Sequence, residues 1–292
     1  MRMIYRPDID GLRAIAVAAV VLFHSEILFF DREIFRGGFI GVDIFFVISG
    51  YLITGIILNE LKDKNNFSFK SFLEKRARRL LPALFFLILI SIPFAFYNLS
   101  QSYYNEFIDS VYSSISFLSN FYYHYNSDYF DVPYNLKPLL HTWSLSVEIQ
   151  FYLFFPFLII LFWRNFFLLI ILLSLLILIN ILLVQFGGNL SIYYPFFDKS
   201  FSFYNPPIAG TFYWTTSRIW EFLAGALAFV FSQRYNFSKI NSIPVVGILL
   251  VFFSFYIFSR DLNNPSFYNL IPVVGTSLIL LANQKKSFAS WV

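Results

Sequence analysis

The sequence of 292 residues contains no cysteine, so disulfides, thiolate metal sites and cysteine nucleophiles are all excluded. Charged residues make up only 13% of the chain, whereas a soluble domain typically carries about 25%. The chain has no glycine-rich loop ending in Gly-Lys-Ser/Thr, which argues against a nucleotide-hydrolysing motor. It also has no His-Glu-x-x-His motif or carboxylate cluster, so we expect no metal site. No feature of the sequence indicates nucleic-acid binding.

What the chain does have is long apolar runs, with 58% hydrophobic residues and a mean hydropathy of +0.65. Eight segments approach the length of roughly 20 residues that a membrane-spanning helix needs. These segments are 11–30, 39–58, 80–97, 143–163, 166–186, 215–232, 243–259 and 268–283. A further stretch, 103–123, is helical in pattern but polar, which predicts one interfacial or re-entrant helix. The predicted fold is therefore an all-α integral membrane protein, a polytopic helical bundle of about eight spans.

The placement of basic residues predicts the orientation, because lysine and arginine collect on the cytoplasmic side of a membrane. The most basic segment lies between the second and third apolar segments and contains Lys62, Lys64, Lys70, Lys75, Arg76, Arg78 and Arg79. We therefore expect this segment and the N-terminus to be cytoplasmic. The even spread of apolar segments favours a single membrane domain over residues 1–292.

The first apolar segment carries two ionisable residues, Arg13 and His24, and such residues inside a span are functional candidates because their burial is costly. They are eleven positions apart, which returns a helix to nearly the same face, about 16 Å further along its axis. Each also has a structural interpretation, since Arg13 could be a snorkelling anchor and His24 a polar contact between helices. Their shared face favours a functional role for both.

The second apolar segment begins with Gly37 and Gly41, a small-residue pair of the kind that lets membrane helices pack closely. Asp43 follows at a depth similar to that of His24. It could therefore accept a hydrogen bond from the imidazole and hold its tautomer, which is the orienting role in acid–base catalysis.

Three other groups of charged residues are candidates. Arg76 and Arg79 could form a phosphate clamp, because guanidinium groups suit phosphate oxygens, or they could simply anchor the cytoplasmic end of a span. Glu148 is the only charge in a long apolar run and shares a helix face with His141, seven positions earlier. A final pair, Arg218 and Glu221, is three positions apart and could be an ion pair within one helix.

Five runs of the sequence, taken in order, resemble the acyltransferase type 3 family. They are residues 5–17 followed by His24, then 37–52, 76–82, 141–152 and 218–225. The match is closest to bacterial members that O-acetylate lipopolysaccharide or other envelope polysaccharides, which often carry an SGNH-type domain after the membrane part. Family members usually continue with two more spans beyond the point where this chain ends, at Trp291-Val292. The resemblance therefore implies an incomplete membrane domain that lacks the last spans and any SGNH-type domain.

The resemblance also implies roles and partners. Arg13 and His24 match the essential arginine and histidine of the family's first helix. Arg76 and Arg79 match its Arg-x-x-Arg motif, and Glu148 matches the glutamate of its His-Thr-Trp-Ser motif. The implied donor is acetyl-CoA or another acyl-CoA in the cytoplasm. The implied acceptor is an envelope polysaccharide or a lipid-linked glycan outside a bacterial cytoplasmic (inner) membrane, in which a multi-pass protein lies among membrane lipids. A separate SGNH-type protein could be a further partner.

Our leading hypothesis from the sequence is a membrane O-acetyltransferase. In it, Arg76 and Arg79 hold the CoA phosphates and Arg13 binds or steers the donor. His24 acts as a general base or carries the acyl group transiently, and Asp43 and Glu148 orient the imidazole or stabilise charge. Two alternatives stay open: a transporter or flippase, which would show paired discontinuous helices, and an inactive truncated remnant.

Overall fold

The computed structural model describes residues 6–25, 27–29, 32–33, 36–126, 136–186, 191–194, 199–202, 212–235, 237, 240, 242–259, 262 and 264–282. Helices dominate these residues. They are α1 (Pro7–His24), α2 (Gly41–Lys64), α3 (Phe69–Asn98), α4 (Gln101–Ile115), α5 (Ser119–Tyr125), α6 (Thr142–Phe162), α7 (Phe166–Phe186), α8 (Thr215–Arg234), α9 (Ser242–Ile257) and α10 (Leu270–Leu281). The end of the chain at Trp291-Val292 lies outside the described residues.

Two small antiparallel ladders lie in the connections between helices. One pairs β1 (Leu28–Phe29) with β2 (Arg32–Glu33), and the other pairs β3 (Ser191–Tyr194) with β4 (Lys199–Ser202). Short 3₁₀ turns, Gly38–Ile40 and Phe267–Asn269, lead into α2 and α10.

All eight apolar segments predicted from the sequence contain a helix, and α7 has the predicted bounds. Within the described part of the chain, four helical stretches are long and apolar enough to cross a membrane: Gly38–Lys64, Phe69–Asn98, Thr142–Phe162 and Phe166–Phe186. The helix α1 is too charged to meet the same criterion, and α9 and α10 are only 16 and 12 residues long. The helical membrane architecture is therefore supported, and the count of eight spans stays a prediction.

The prediction of one continuous helix over 103–123 is wrong. The structure has two helices there, α4 and α5, which are separated by a turn at residues 116–118. Phe117 in this turn has a φ of 56°, the left-handed conformation, and the N–H of Leu118 donates to the carbonyl of Ser113 at 2.8 Å. The break escapes prediction because phenylalanine rarely adopts that conformation without support from its surroundings.

The centre of the bundle is α2, whose most apolar window is 72% buried, against 17% for α3 and for α7. It packs against α1, α6, α8 and α10. Its closest crossing is with α8, where Gly50 faces the main chain of Phe222 and Gly225 faces the main chain of Val47. A methyl group at either glycine would overlap a carbonyl, so both positions need the smallest residue.

Gly37 and Gly41 also permit close packing, as predicted, but against different helices. Gly41 lies against the carbonyl of Ala16 in α1, and Gly37 lies against the carbonyl of Ser254 in α9. These contacts hold the start of α2 between α1 and α9, which positions the face of α1 that carries Arg13.

Candidate active site

A cavity of about 370 Å³ lies between α1, α2, α3 and α6. This volume is within the range of small-molecule sites, roughly 300–1,000 Å³. Its wall combines apolar side chains with a few polar and charged ones. The lining residues are Arg13, Val17, Val42, Phe45, Phe46, Ser49, Leu52, Ile53, Arg76, Arg79, Leu80, Ser144, Leu145, Glu148 and Tyr152.

The charged groups on this wall are mostly cationic. Three guanidinium groups, those of Arg13, Arg76 and Arg79, face a single carboxylate, that of Glu148. The sequence predicted the two arginines of α3 near a membrane surface. The structure places them in the third and fourth turns of α3, a helix that continues to Asn98, so their side chains project from a regular helix. The excess of positive charge favours an anionic ligand.

Two of these arginines have spare hydrogen-bonding capacity. The Nε atom of Arg76 is buried and has no hydrogen-bond partner among the described residues. Arg13 contacts Asp10 on its own helix only through a long 3.4 Å interaction, and 27% of its side chain is exposed. By contrast, Arg78 lies outside the cavity wall and pairs with Glu74 at 2.7 Å. Arg76 and Arg79 are three residues apart and share the helix face towards the cavity, whereas Arg78 lies on another face of α3.

Glu148 is held in place on the cavity wall. It accepts hydrogen bonds from the hydroxyl groups of Ser49 in α2 and Tyr152 in α6. Neither hydroxyl is among the site residues predicted from the sequence. Tyr152 is one helical turn beyond Glu148, a spacing that could have identified it, whereas Ser49 is distant in the sequence and gave no such signal.

His24 is the last residue of α1, and its side chain is exposed. Its Nδ1 atom lies 2.8 Å from the carbonyl oxygen of Val20. Because a carbonyl can only accept, Nδ1 must donate, which leaves Nε2 of the neutral ring with a free lone pair. Val17 lies on the same strip of α1 and lines the cavity, about 10 Å along the helix axis from His24. The strip therefore connects the cavity with the imidazole.

Asp43 does not orient His24, which corrects the role expected from the sequence. Arg218 Nη1 donates to Asp43 Oδ1 at 2.7 Å, and Asn269 Nδ2 donates to Asp43 Oδ2 at 3.2 Å. The neighbouring Val42 faces the cavity. One residue is a rotation of about 100° on a helix, so Asp43 points towards α8 and α10 instead. The imidazole is oriented by the main-chain carbonyl of Val20 and by an edge-to-face contact with the ring of Phe23.

Asp43 thus belongs to a second, closed cluster of charges. Arg218 Nη1 also lies 3.0 Å from Glu221 Oε1, which confirms the pair expected from their spacing. The three side chains are at most 1% exposed. The Nε of Arg218 donates to the carbonyl of Phe212 at 3.2 Å, and the guanidinium lies over the rings of Phe212 and Trp143. This cluster joins α2, α8 and the 3₁₀ turn that leads into α10, and it does not line the cavity.

The arrangement therefore offers a cationic cavity for an anionic substrate and, along one helix face, an imidazole nitrogen that can accept a proton. Among the residues that the structure describes, no group of three or more His, Cys, Asp or Glu side chains is placed to hold a metal ion.

Comparisons with known proteins point to one family. The model of the acyltransferase 3 family, described as an acyltransferase domain, matches residues 6–291. The O-acetyltransferase OatA of Staphylococcus aureus (strain NCTC 8325 / PS 47) is 39% identical over 153 residues, which are 52% of this chain and 24% of OatA. A protein of strain MSSA476 named "Putative O-acetyltransferase SAS0844" is 39% identical over 155 residues, which are 53% of this chain and 25% of that protein. The chain thus covers about a quarter of the length of these curated relatives. No solved structure matches it significantly.

Proposed function

The chain belongs to the acyltransferase 3 family, and from this membership and the cavity we propose that it is a membrane O-acetyltransferase. It takes an acetyl group, or another acyl group, from acyl-CoA and transfers it to a hydroxyl of a glycan. Both relatives described above are named as O-acetyltransferases, which supports this choice of acyl group and atom.

The observation that carries the proposal is the excess of guanidinium groups in the cavity. Coenzyme A carries a pyrophosphate and a further phosphate, and guanidinium forks bind such oxygens with charge-assisted hydrogen bonds. Arg76 and Arg79 project from one helix into the same cavity, and Arg76 keeps a buried Nε without a partner among the described residues. We assign the phosphates to these two arginines. Arg13, across the cavity on α1, steers the thioester arm towards His24.

The chemistry follows from the tautomer of His24. Its Nε2 accepts the proton of the sugar hydroxyl while the hydroxyl oxygen attacks the thioester carbonyl. The carbon–sulfur bond then breaks, and the CoA sulfur leaves and takes up a proton. In a second route, Nε2 itself attacks the thioester and carries the acyl group before the hydroxyl takes it. Glu148, fixed by Ser49 and Tyr152, balances part of the positive charge that surrounds the donor.

The setting we propose is a bacterial cytoplasmic membrane crossed by eight helices, with the N-terminus and the arginine end of the cavity on the cytoplasmic side. This orientation places acyl-CoA where the cell makes it and places His24 near the outer surface. The acceptor is then an extracytoplasmic glycan, such as lipopolysaccharide O-antigen or a lipid-linked precursor. A separate SGNH-type protein is a proposed partner for the final delivery.

The test uses inverted membrane vesicles, in which the cytoplasmic face is outside and the acceptor glycan is in the lumen. Acetyl-CoA labelled in the acetyl group is added outside, and label on luminal glycan is measured. We expect glycan labelling with the unaltered chain and a fall of about 10²- to 10⁴-fold with His24→Ala. Comparable amounts of the two proteins in the membrane are the control for insertion.

Two results would contradict the proposal. Labelling that persists in His24→Ala removes the imidazole from the reaction. Glycan movement that does not depend on acetyl-CoA favours a transporter or flippase instead. Within the described residues α3 stays helical through Pro82 and Pro93, as α6 does through Pro156, which is unlike the broken helices of many transporters.

A further inference from the structure

The last turn of α1, which carries His24, rests on the 3₁₀ turn Gly38–Ile40 that leads into α2. Gly38 lies against the main-chain carbonyl of Ala19 and the Cβ atom of Phe23, and a methyl group on Gly38 would overlap both. The two segments therefore touch at the level of their main chains. This contact fixes where α1 ends, but the imidazole itself is exposed, and exposed side chains change rotamer readily.

Three phenylalanine rings lead from the imidazole into the bundle. The ring of Phe23 lies edge-to-face with the imidazole of His24, with ring centres 5.0 Å apart. The ring of Phe39, on the 3₁₀ turn, makes a second edge-to-face contact with Phe23, at 5.5 Å between centres. On its other side, Phe39 stacks on Phe258 at 6.5 Å. Phe39 thus links the ring that touches the imidazole with a ring inside the bundle.

The inner end of this row of rings is held firmly. Phe258 is only 2% exposed, and its N–H donates to the carbonyl of Ser254 at 3.1 Å. The N–H of Gly37, just before the 3₁₀ turn, donates to the carbonyl of Phe255 at 3.2 Å, which bonds the turn to α9. Phe39 therefore cannot move inwards, and its ring is a fixed support for Phe23.

We propose that Phe39 is a positioning residue for the reaction of His24. This rests on the proposed O-acetyltransferase function. The ring of Phe39 holds the ring of Phe23, which in turn holds the imidazole in the orientation in which Nδ1 donates to the carbonyl of Val20. Nε2 then keeps one direction and its free lone pair. Phe39 does not line the cavity, so it has no place in binding the donor.

The support matters because an imidazole without it has alternatives. A neutral imidazole can carry its proton on either ring nitrogen, and with the proton on Nε2 the ring of His24 could not accept one there from a hydroxyl. The energy of an aromatic pair corresponds to a shift of about 2- to 12-fold in such an equilibrium. We expect the loss of Phe39 to lower the kcat by this factor.

Three substitutions at Phe39 separate positioning from simple packing. Phe39→Ala removes the ring, Phe39→Leu keeps a bulky apolar side chain without a flat face, and Phe39→Tyr keeps the ring. If Phe39 only fills space, leucine serves as well as phenylalanine. Phe121→Ala is the matched control. Phe121 is also half-buried and makes an edge-to-face contact, with Trp214 at 5.6 Å, but it is not part of this row of rings.

Two measurements are made on each full chain. In inverted vesicles, Phe39→Ala and Phe39→Leu should lower the kcat for acetyl transfer by about 2- to 12-fold and leave the KM for acetyl-CoA unchanged. In detergent, the ring nitrogens of ¹⁵N-labelled histidine report the tautomer at alkaline pH, where imidazole is neutral. The signal of His24 is the one that His24→Ala removes, and both variants should shift it away from the tautomer protonated at Nδ1. Phe39→Tyr and Phe121→Ala should match the unaltered chain in both measurements.

The outcomes separate this inference from the function on which it rests. If the unaltered chain transfers acetyl groups but either the kcat or the His24 signal is unchanged in Phe39→Ala and Phe39→Leu, the positioning role is overturned while the acetyltransferase stands. A kcat that is low with alanine but normal with leucine shows that Phe39 only fills space, and also overturns it. If the unaltered chain transfers no acetyl group, both proposals fail. If Phe39→Ala does not insert into the membrane, Phe39→Leu decides alone.

Discussion

The two clusters of charged side chains in this bundle are opposite in composition and in exposure. Around the cavity, three guanidinium groups face one carboxylate. The side chain of Arg13 is partly exposed, and the Nε of Arg76 has no hydrogen-bond partner among the described residues. Between α2 and α8, one guanidinium faces two carboxylates, and all three side chains are almost completely buried. The first cluster has unused hydrogen-bond donors, whereas in the second the arginine is surrounded by acceptors.

This difference indicates which charges serve binding and which serve the fold. A buried charge costs several kcal/mol unless partners surround it. Arg218 has two carboxylates, the amide oxygen of Asn264 and a main-chain carbonyl as partners, so its role is structural. Unused cationic donors in a cavity persist only where water or a ligand solvates them. Ionisable residues inside spans are thus not all functional. Those whose charges are satisfied by other side chains stabilise the fold, and those with unused donors in a cavity are candidates for ligand binding.

The largest effect is expected from breaking the closed cluster. Arg218→Met removes the only guanidinium of that cluster and leaves Asp43 and Glu221 buried side by side. Removing one partner of a buried ion pair typically costs about 3–5 kcal/mol. We expect a clear loss of thermal stability and of protein in the membrane, measured on the detergent-solubilised chain.

A compensated variant checks that the cause is uncompensated charge. Arg218→Met combined with Asp43→Asn and Glu221→Gln leaves no buried charge at this joint. It should recover a large part of the lost stability. An Arg218→Met protein as stable as the unaltered chain would contradict the structural role of the cluster.

A smaller effect, on binding and not on stability, is expected from the open cluster. Arg76→Gln and Arg79→Gln should each raise the KM for acetyl-CoA by roughly 10- to 150-fold, because a hydrogen bond to a charged group is worth about 1.5–3 kcal/mol. Thermal stability should hardly change, since neither arginine is enclosed by partners.

The chain provides the control for these variants. Arg78 lies in the same run of basic residues but pairs with Glu74 on the exposed face of α3. Arg78→Gln should therefore leave the KM unchanged. An equal rise in KM for all three variants would mean that the run acts only as a diffuse positive surface, and would remove the phosphate clamp.

The smallest effect is expected from the carboxylate of the open cluster. Glu148→Gln removes the one negative charge on the cavity wall and keeps an oxygen that can accept from one of the two hydroxyls. Because a charge opposing the anionic donor is lost, the KM for acetyl-CoA should fall, by at most about 5-fold, the equivalent of roughly 1 kcal/mol. A rise in KM would show that Glu148 contacts the donor favourably.

The positions of the helices were predictable from the sequence because they depend on local properties. A run of apolar residues of sufficient length forms a helix whatever its neighbours, and α7 was located to the residue. The turn at Phe117 was not predictable, because a left-handed phenylalanine depends on the packing of α4 and α5 around it.

In the candidate site, too, contacts within one helix were predictable and contacts between helices were not. Arg218 and Glu221 are three residues apart, so their contact follows from helix geometry alone. The third charged residue of this buried cluster, Asp43, is 175 residues from Arg218 in the chain. No periodicity links such distant positions, and Asp43 was therefore assigned to His24 instead. Ser49 was missed for the same reason, since its partner Glu148 is 99 residues away.

The strip on α1 was determined by the sequence alone, since eleven residues of any α-helix bring Arg13 and His24 to one face. The family was also recognisable there, because its motifs are short runs of adjacent residues. Only the tertiary structure decided that Arg76 and Arg79 line the same cavity as Arg13, and that Asp43 turns away from it. These relations depend on which helices pack together, and that packing is set by close glycine contacts and by the cost of leaving a buried charge without a partner.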